Sequence, residues 1–142
     1  MTATSAMTML TPGSEAYAIR SDADVVAARQ AVRARAVELR FSLVDQTKIV
    51  TAASELARNT LVYGGGGSMR IETVDRPPRT GLRMVFEDSG PGIADVQQAL
   101  RDGFTTGGGL GLGLGGSRRL LDEMEIESAA GQGTRITGTK WK

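Results

Sequence analysis

The chain has 142 residues, 17 Lys+Arg against 16 Asp+Glu for a formal net charge of +1, and neither cysteine nor histidine. Balanced charge argues against nucleic acid as a partner, because such binders carry a clustered basic excess. The missing cysteines exclude disulfides and thiolate zinc sites, and the missing histidines exclude Ser-His-Asp triads, histidine-ligated metals and a phosphohistidine on this chain.

The length fits one domain, and a 40% hydrophobic fraction can build its core. Residues 1–14, MTATSAMTMLTPGS, lack the basic start and apolar run of a signal peptide. They are expected to be a flexible tail before a domain spanning 15–142. No window approaches the roughly 20 apolar residues of a membrane span, so a soluble, cytoplasmic protein without a membrane partner is expected.

A short strand is predicted over Ala16–Arg20, then a helix capped by Ser21 or Asp22 and reaching about Leu39. Arg33, Arg35 and Arg40 gather on that stretch, the one local group among otherwise scattered basic residues. A second helix starts at Ser42 or Asp45 and runs to about Tyr63, with Leu43, Ile49, Val50, Ala53, Leu56, Ala57 and Leu61 at helical spacing. Gly64–Gly67 stops it. Strands Met69–Val74 and Leu82–Glu87 follow around the turn Arg76-Pro77-Pro78. In the second, Leu82, Met84 and Phe86 alternate with Arg83, Val85 and Glu87, as in a sheet with one buried face. A short helical piece, Asp95–Arg101, precedes a glycine run at 107–116 and a helix over Ser117–Glu123. Strands Glu125–Ser128 and Thr134–Trp141 close the chain around Gly131-Gln132-Gly133. The expected fold is α/β (α+β): a two-layer sandwich with a mixed or antiparallel sheet and helices on one face.

Three segments can carry chemistry. Glu55 and Asn59, four apart, lie one above the other on the second helix. An amide oxygen there can ligate a hard cation such as Mg²⁺, and a carboxylate can take a proton from an attacking hydroxyl. Alone, the pair equally describes a solvated polar face. Asp88-x-Gly90-x-Gly92 closes a strand; a carboxylate can accept a hydrogen bond from an exocyclic amine, and glycines let backbone approach a flat ring. An ordinary strand-ending turn has the same residues. The run Gly107-Gly108-Gly109-Leu110-Gly111-Leu112-Gly113-Leu114-Gly115-Gly116 puts seven glycines in ten residues. Ahead of a helix, such a run can aim N–H groups at phosphate; as a linker it needs no ligand. It lacks the lysine of a G-x-x-x-x-G-K-[ST] loop, and no H-R-D kinase loop is present. The weakest segment is Gly131-x-Gly133-Thr134, which a tight turn also explains.

Taken together and in this order, these segments resemble the boxes of the GHKL (Bergerat) ATPase family: Ser54–Asn59 the N box, Asp88–Gly92 the G1 box, Gly107–Gly113 the G2 box and Gly131–Thr134 the G3 turn. SELARN, EDSGPGI, DGFTTGGGLGLGL, RRLLDE and GQGT are similar to the small switch-protein serine/threonine kinases of the stressosome, over about residues 15–142. The resemblance implies ATP and Mg²⁺ as cofactors. By it, Asn59 coordinates Mg²⁺ and Glu55 is the base or orients the nucleophile. Asp88 reads the adenine amine, with Gly90, Gly92 and Thr134 supporting the ring site, and Gly107, Gly108, Gly109, Gly111 and Gly113 face the phosphates. It further implies phosphorylation of a STAS-domain antagonist and, on release, activation of a PP2C-type phosphatase.

One departure is that residues 103–117 contain no Lys or Arg, although phosphoryl transfer uses positive charge near the transferred group. Mg²⁺ alone, one of Arg58, Arg101, Arg118 or Arg119, or a partner's cation can supply it. The same boxes also fit an anti-sigma-factor-like module that sequesters a partner, or the catalytic half of a histidine kinase whose acceptor lies on another chain.

Overall fold

The computed structural model describes residues 14–93, 95–100 and 113–142. The expected tail lies outside these, except for Ser14, which opens strand β1 (Ser14–Ile19). Helix α1 (Asp22–Glu38) starts where Ser21 Oγ accepts the Asp24 N–H at 3.2 Å and Asp24 Oδ2 accepts the Arg20 N–H at 2.8 Å. The first bond satisfies a donor that a helix start leaves unpaired, and the second ties the residue before the cap back to the first turn. The helix ends in a Schellman closure: Arg40 N–H donates to Val37 O and Phe41 N–H to Ala36 O, with Arg40 at φ 65°. Arg35 is buried in α1 and held by Glu15 and Thr73, so the three arginines of this stretch do not form one basic face.

Helix α2 (Leu43–Val62) is capped by Ser42, whose Oγ accepts the Asp45 N–H at 3.1 Å. Strands β2 (Gly67–Arg76) and β3 (Arg79–Asp88) form a hairpin around a cis Pro77–Pro78 bond. After a single turn, α3 (Val96–Ala99), come α4 (Gly113–Leu120), β4 (Glu123–Ser128) and β5 (Thr134–Trp141). The sheet is antiparallel throughout, in the order β1-β2-β3-β5-β4.

The register aligns Tyr17, Met69, Phe86, Ile136 and Ile126 in one row across all five strands. This apolar face joins Val25, Ala28, Val32, Ile49, Ala53 and Leu56 of the helices in a single core. The expected two-layer α+β architecture is therefore present, with an antiparallel sheet. The other sheet face is charged and internally paired, as Arg135 with Glu87 and Glu127, and Arg83 with Glu72, illustrate. Val85 departs from simple alternation: it points to the charged face yet is buried, in a row between Arg70 and Thr137 on the central strand.

Helix α4 begins four residues before the expected Ser117, inside the glycine run, and stops before Glu123. Leu114, Gly115 and Ser117 are buried, and Ser117 Oγ donates to Gly113 O at 3.1 Å. Residues without bulk let this turn lie against α2, where packing outweighs the low helix propensity of glycine. The chain leaves the helix because Asp122 is recruited by β5: its N–H donates to Thr139 O, and its carboxylate accepts the Trp141 N–H at 2.6 Å. The short helical piece is also trimmed to Val96–Ala99, and Arg101 lies outside the described residues.

The sheet end remote from Asp88 is fastened by charge. Lys140 Nζ reaches Asp122 at 3.2 Å and Asp45 at 3.8 Å. The Trp141 indole N–H donates to Glu123, while Arg76 and Arg79 lie 4.8 and 4.4 Å from its ring centroid.

Candidate functional site

Asp88 is the last residue of β3 and is paired in register with Gly67 of β2 and Thr134 of β5. Its parity puts it on the helix-facing side, one position beyond the core row that contains Phe86. The half-buried carboxylate accepts the Gly90 N–H through Oδ1 at 2.9 Å. Its other flank is Gly64, where an added Cβ would stand 2.3 Å from Asp88 Cγ and 2.5 Å from Oδ2. Both Tyr63 and Gly64 donate to Asn59 O at the end of α2. One glycine thus lets the helix terminus and the strand terminus meet.

Beyond Asp88 the chain is docked onto the β4–β5 turn. Gly131 N–H donates to Pro91 O at 2.5 Å. Gly92 adopts φ 76°, and a Cβ there would fall 2.0 Å from Ala129 O, so this crossing requires glycine. Ser128 ties the parts together: its Oγ accepts the Ile93 N–H at 2.7 Å, donates to Gly133 O at 2.8 Å and lies 2.8 Å from Thr134 Oγ1. Sequence reasoning missed Gly64 and Ser128. Their only signals were a place in a run already read as a helix stop, and a serine six residues before Thr134.

Two open depressions share Glu87 and Asp88. One, of about 430 Å³, is lined also by Ser128, Gly133, Thr134 and Arg135; the other, of about 670 Å³, by Arg20, Gly64–Gly67 and Ser89. The structure therefore brings Asp88, Thr134, Gly90 and Gly92 together. Glu55 and Asn59 are half-buried on α2, one turn apart, and line neither depression. Asn59 joins the site through its backbone carbonyl at Gly64. Gly113 stands at the start of α4, which packs on α2; Gly107, Gly108, Gly109 and Gly111 lie outside the described residues.

Charge at the rim is largely compensated. Arg135 donates from Nε to Glu87 at 3.0 Å and also faces Glu127. The Glu87 hydrogen bond, followed by the negative charges of Glu87 and Glu127, holds its guanidinium above the ordinary range. Arg118 and Arg119 occupy the last turn of α4, roughly 8 Å along the axis from Gly113. Arg58 is exposed on α2, between Glu55 and Asn59 in sequence. No helix among the described residues is long and apolar enough to cross a membrane.

Residues 44–141 match the histidine kinase-, DNA gyrase B-, and HSP90-like ATPase family. Serine/threonine-protein kinase RsbT of Bacillus subtilis (strain 168) is 50% identical over 123 residues, covering 87% of this chain and 92% of that protein. Anti-sigma F factor of Thermoanaerobacter sp. (strain X514) is 32% identical over 119 residues, covering 80% and 82%. The RsbU and RsbW domains of a Mycobacterium tuberculosis protein superpose with a TM-score of 0.60 at 19% identity, covering 92% of this chain and 32% of that one. The mycobacterial sensor histidine kinase MprB does so with a TM-score of 0.54 at 16% identity, covering 89% and 96%. These two structures share the fold, and the sequence relatives narrow the assignment. The chain belongs to the histidine kinase-, DNA gyrase B-, and HSP90-like ATPase family, within its branch of serine/threonine-protein kinases.

Proposed function

We propose that the chain uses Mg-ATP to phosphorylate a serine or threonine of a STAS-domain antagonist and, when released from it, activates a PP2C-type phosphatase. The observation that carries the nucleotide part is the placement of Asp88 against Gly64. The carboxylate has one oxygen bound by Gly90 N–H, and glycine leaves room beside the other. A carboxylate so placed suits an exocyclic amine donor, with Gly92 and Thr134 forming the ring's support and Gly90 fixing the acceptor. The glycines at 107, 108, 109, 111 and 113 are assigned to the phosphates by the family resemblance; of these, Gly113 opens α4.

When bound, ATP supplies the phosphoryl group and Mg²⁺ offsets its charge. Asn59 offers one amide oxygen to that cation, as hard-cation chemistry favours. Glu55, one turn earlier on the same face, takes the proton from the partner's hydroxyl as its oxygen attacks. Arg58 is the described cation nearest to both in sequence, and it remains a candidate for the charge absent from residues 103–117.

The test is mass spectrometry of a purified STAS-domain protein after incubation with this chain and Mg-ATP. One added phosphoryl group is expected on a serine or threonine, and it should vanish with Glu55→Ala and with Asn59→Ala. Full transfer by either variant overturns the mechanism. The similarity to anti-sigma F factors supports a second reading, in which nucleotide chiefly tunes sequestration of a partner. Stable capture of a sigma factor with only slow transfer to STAS proteins would select it.

A further inference from the structure

Asp88, Thr134 and Ser128 stand in one row across three strands, because the register pairs Asp88 with Thr134 and Thr134 with Ser128. All three therefore share the sheet face turned to the helices, and they line the same depression of about 430 Å³. The charged groups at its rim, Glu87, Glu127 and Arg135, have the opposite strand parity and pair with one another. Residues directly opposite on antiparallel strands have Cβ atoms about 4.5–5.5 Å apart, so Asp88 and Thr134 can meet one ligand group together.

The direction of the Thr134 hydroxyl is set by the protons around Ser128. A serine hydroxyl carries one proton and two lone pairs. Ser128 Oγ has three polar neighbours: the Ile93 N–H at 2.7 Å, Gly133 O at 2.8 Å and Thr134 Oγ1 at 2.8 Å. The Ile93 amide can only donate, and it occupies one lone pair. Gly133 O can only accept, so it takes the single proton. Turning that proton to Thr134 would leave the lone pairs of two oxygens facing each other at 2.8 Å. Thr134 therefore donates to Ser128, and its own lone pairs are what it has left for a ligand.

We propose that Ser128 is a positioning residue that holds the Thr134 hydroxyl as a hydrogen-bond acceptor beside the Asp88 carboxylate, so that the pair favours an amino over a keto group at C6 of a purine. This rests on the reading that Asp88 holds the base, and it adds the residue that sets how Thr134 meets it. An exocyclic amine offers two N–H donors, and two neighbouring acceptors can take both. A keto oxygen sets its lone pairs against the carboxylate and against Thr134. A free Thr134 hydroxyl would turn and donate to that oxygen. Ser128 prevents the turn without itself touching the base.

The experiment is isothermal titration calorimetry of the full chain with Mg-ADP and Mg-IDP, which carry an amino and a keto group at C6 and supply no γ-phosphoryl group. The parent should bind ADP about tenfold more tightly than IDP or better. Thr134→Val keeps the bonds of Ser128 to Ile93 and Gly133, so it tests the acceptor even if Ser128→Ala loses its fold. It should weaken ADP about three- to tenfold and leave IDP unchanged or slightly tighter. Ser128→Ala releases the Thr134 proton and should narrow the preference for ADP about tenfold, an effect that disappears in the Thr134→Val background. Parallel losses of both ligands in Ser128→Ala, or a greater loss of IDP than of ADP in Thr134→Val, overturn the proposal. Asp88→Ala separates this failure from that of the underlying reading. Undiminished ADP affinity in Asp88→Ala overturns both, whereas a loss there with parallel losses in Ser128→Ala overturns only the role of Ser128.

Discussion

Gly64 and Asp88 compete for one space: a Cβ at position 64 would stand 2.3 Å from Asp88 Cγ, well inside contact distance. The end of α2 and the end of β3 are thereby locked in register. A change at the helix terminus must be felt at the carboxylate assigned to the adenine amine.

Gly64→Ala is expected to displace Asp88 and weaken binding of an ATP analogue by about tenfold, or ~1.4 kcal/mol. Gly65→Ala is the matched control. It has φ +74° and open space around its Cβ position, so it should cost about 1 kcal/mol of stability without moving Asp88. Isothermal titration calorimetry separates the two, and equal affinity losses would refute the link.

Glu55→Gln should lower kcat by about 100-fold or more while leaving KM for ATP nearly unchanged, as loss of a base requires. Asn59→Ala should instead raise the Mg²⁺ concentration needed for half-maximal rate. Neither residue belongs to the buried core, so far-ultraviolet circular dichroism should match the parent. A fall in both helicity and rate would assign these residues to folding rather than chemistry.

Arg35→Ala removes a buried guanidinium that joins α1 to Glu15 of β1 and Thr73 of β2. Hydrogen bonds to charged groups contribute about 1.5–3 kcal/mol each, and Glu15 is half exposed, so a net loss of about 2 kcal/mol is expected. Urea unfolding should show a lower midpoint with an unchanged slope.

Tyr17 gives the fold an alkaline limit. Burial first, then the hydrogen bond to Glu15 and that residue's negative charge, raise its phenol above the ordinary value. Below about pH 10 both folded and unfolded chains keep the proton and the stabilisation is complete. As pH rises through the folded value, the unfolded chain has already released its proton and stability declines. Urea midpoints measured from about pH 9 to about pH 11 should fall less steeply in Tyr17→Phe.

The helices and strands were readable where one force dominates. Ser21 and Ser42 announce the caps of α1 and α2, and alternation announces β3. The start of α4 was not readable, because four glycine-rich residues join a helix only through packing against α2. Val85 misled for a related reason: a central strand can bury a residue on its polar face beneath long neighbours. At the candidate site, Asp88 and Thr134 stood out only through the order of the segments and the resemblance, since a turn explains each alone; the register pairs them. Gly64 and Ser128 did not, since their role is contact across long sequence separations. The glycines from 107 to 111 gave the loudest sequence signal, and they lie outside the described residues.

The molecule's two ends answer differently to ionic strength. At the remote end Lys140 holds Asp45 and Asp122, and the guanidinium groups of Arg76 and Arg79 cover Trp141. Around Asp88, by contrast, closure rests on neutral backbone and hydroxyl contacts: Gly131 to Pro91, and Ser128 to Ile93, Gly133 and Thr134. In about 1 M salt, screening over roughly 3 Å loosens the first set and leaves the second nearly intact. Salt therefore erodes the stability of the sheet's far end before it disturbs the pocket proposed to hold the base.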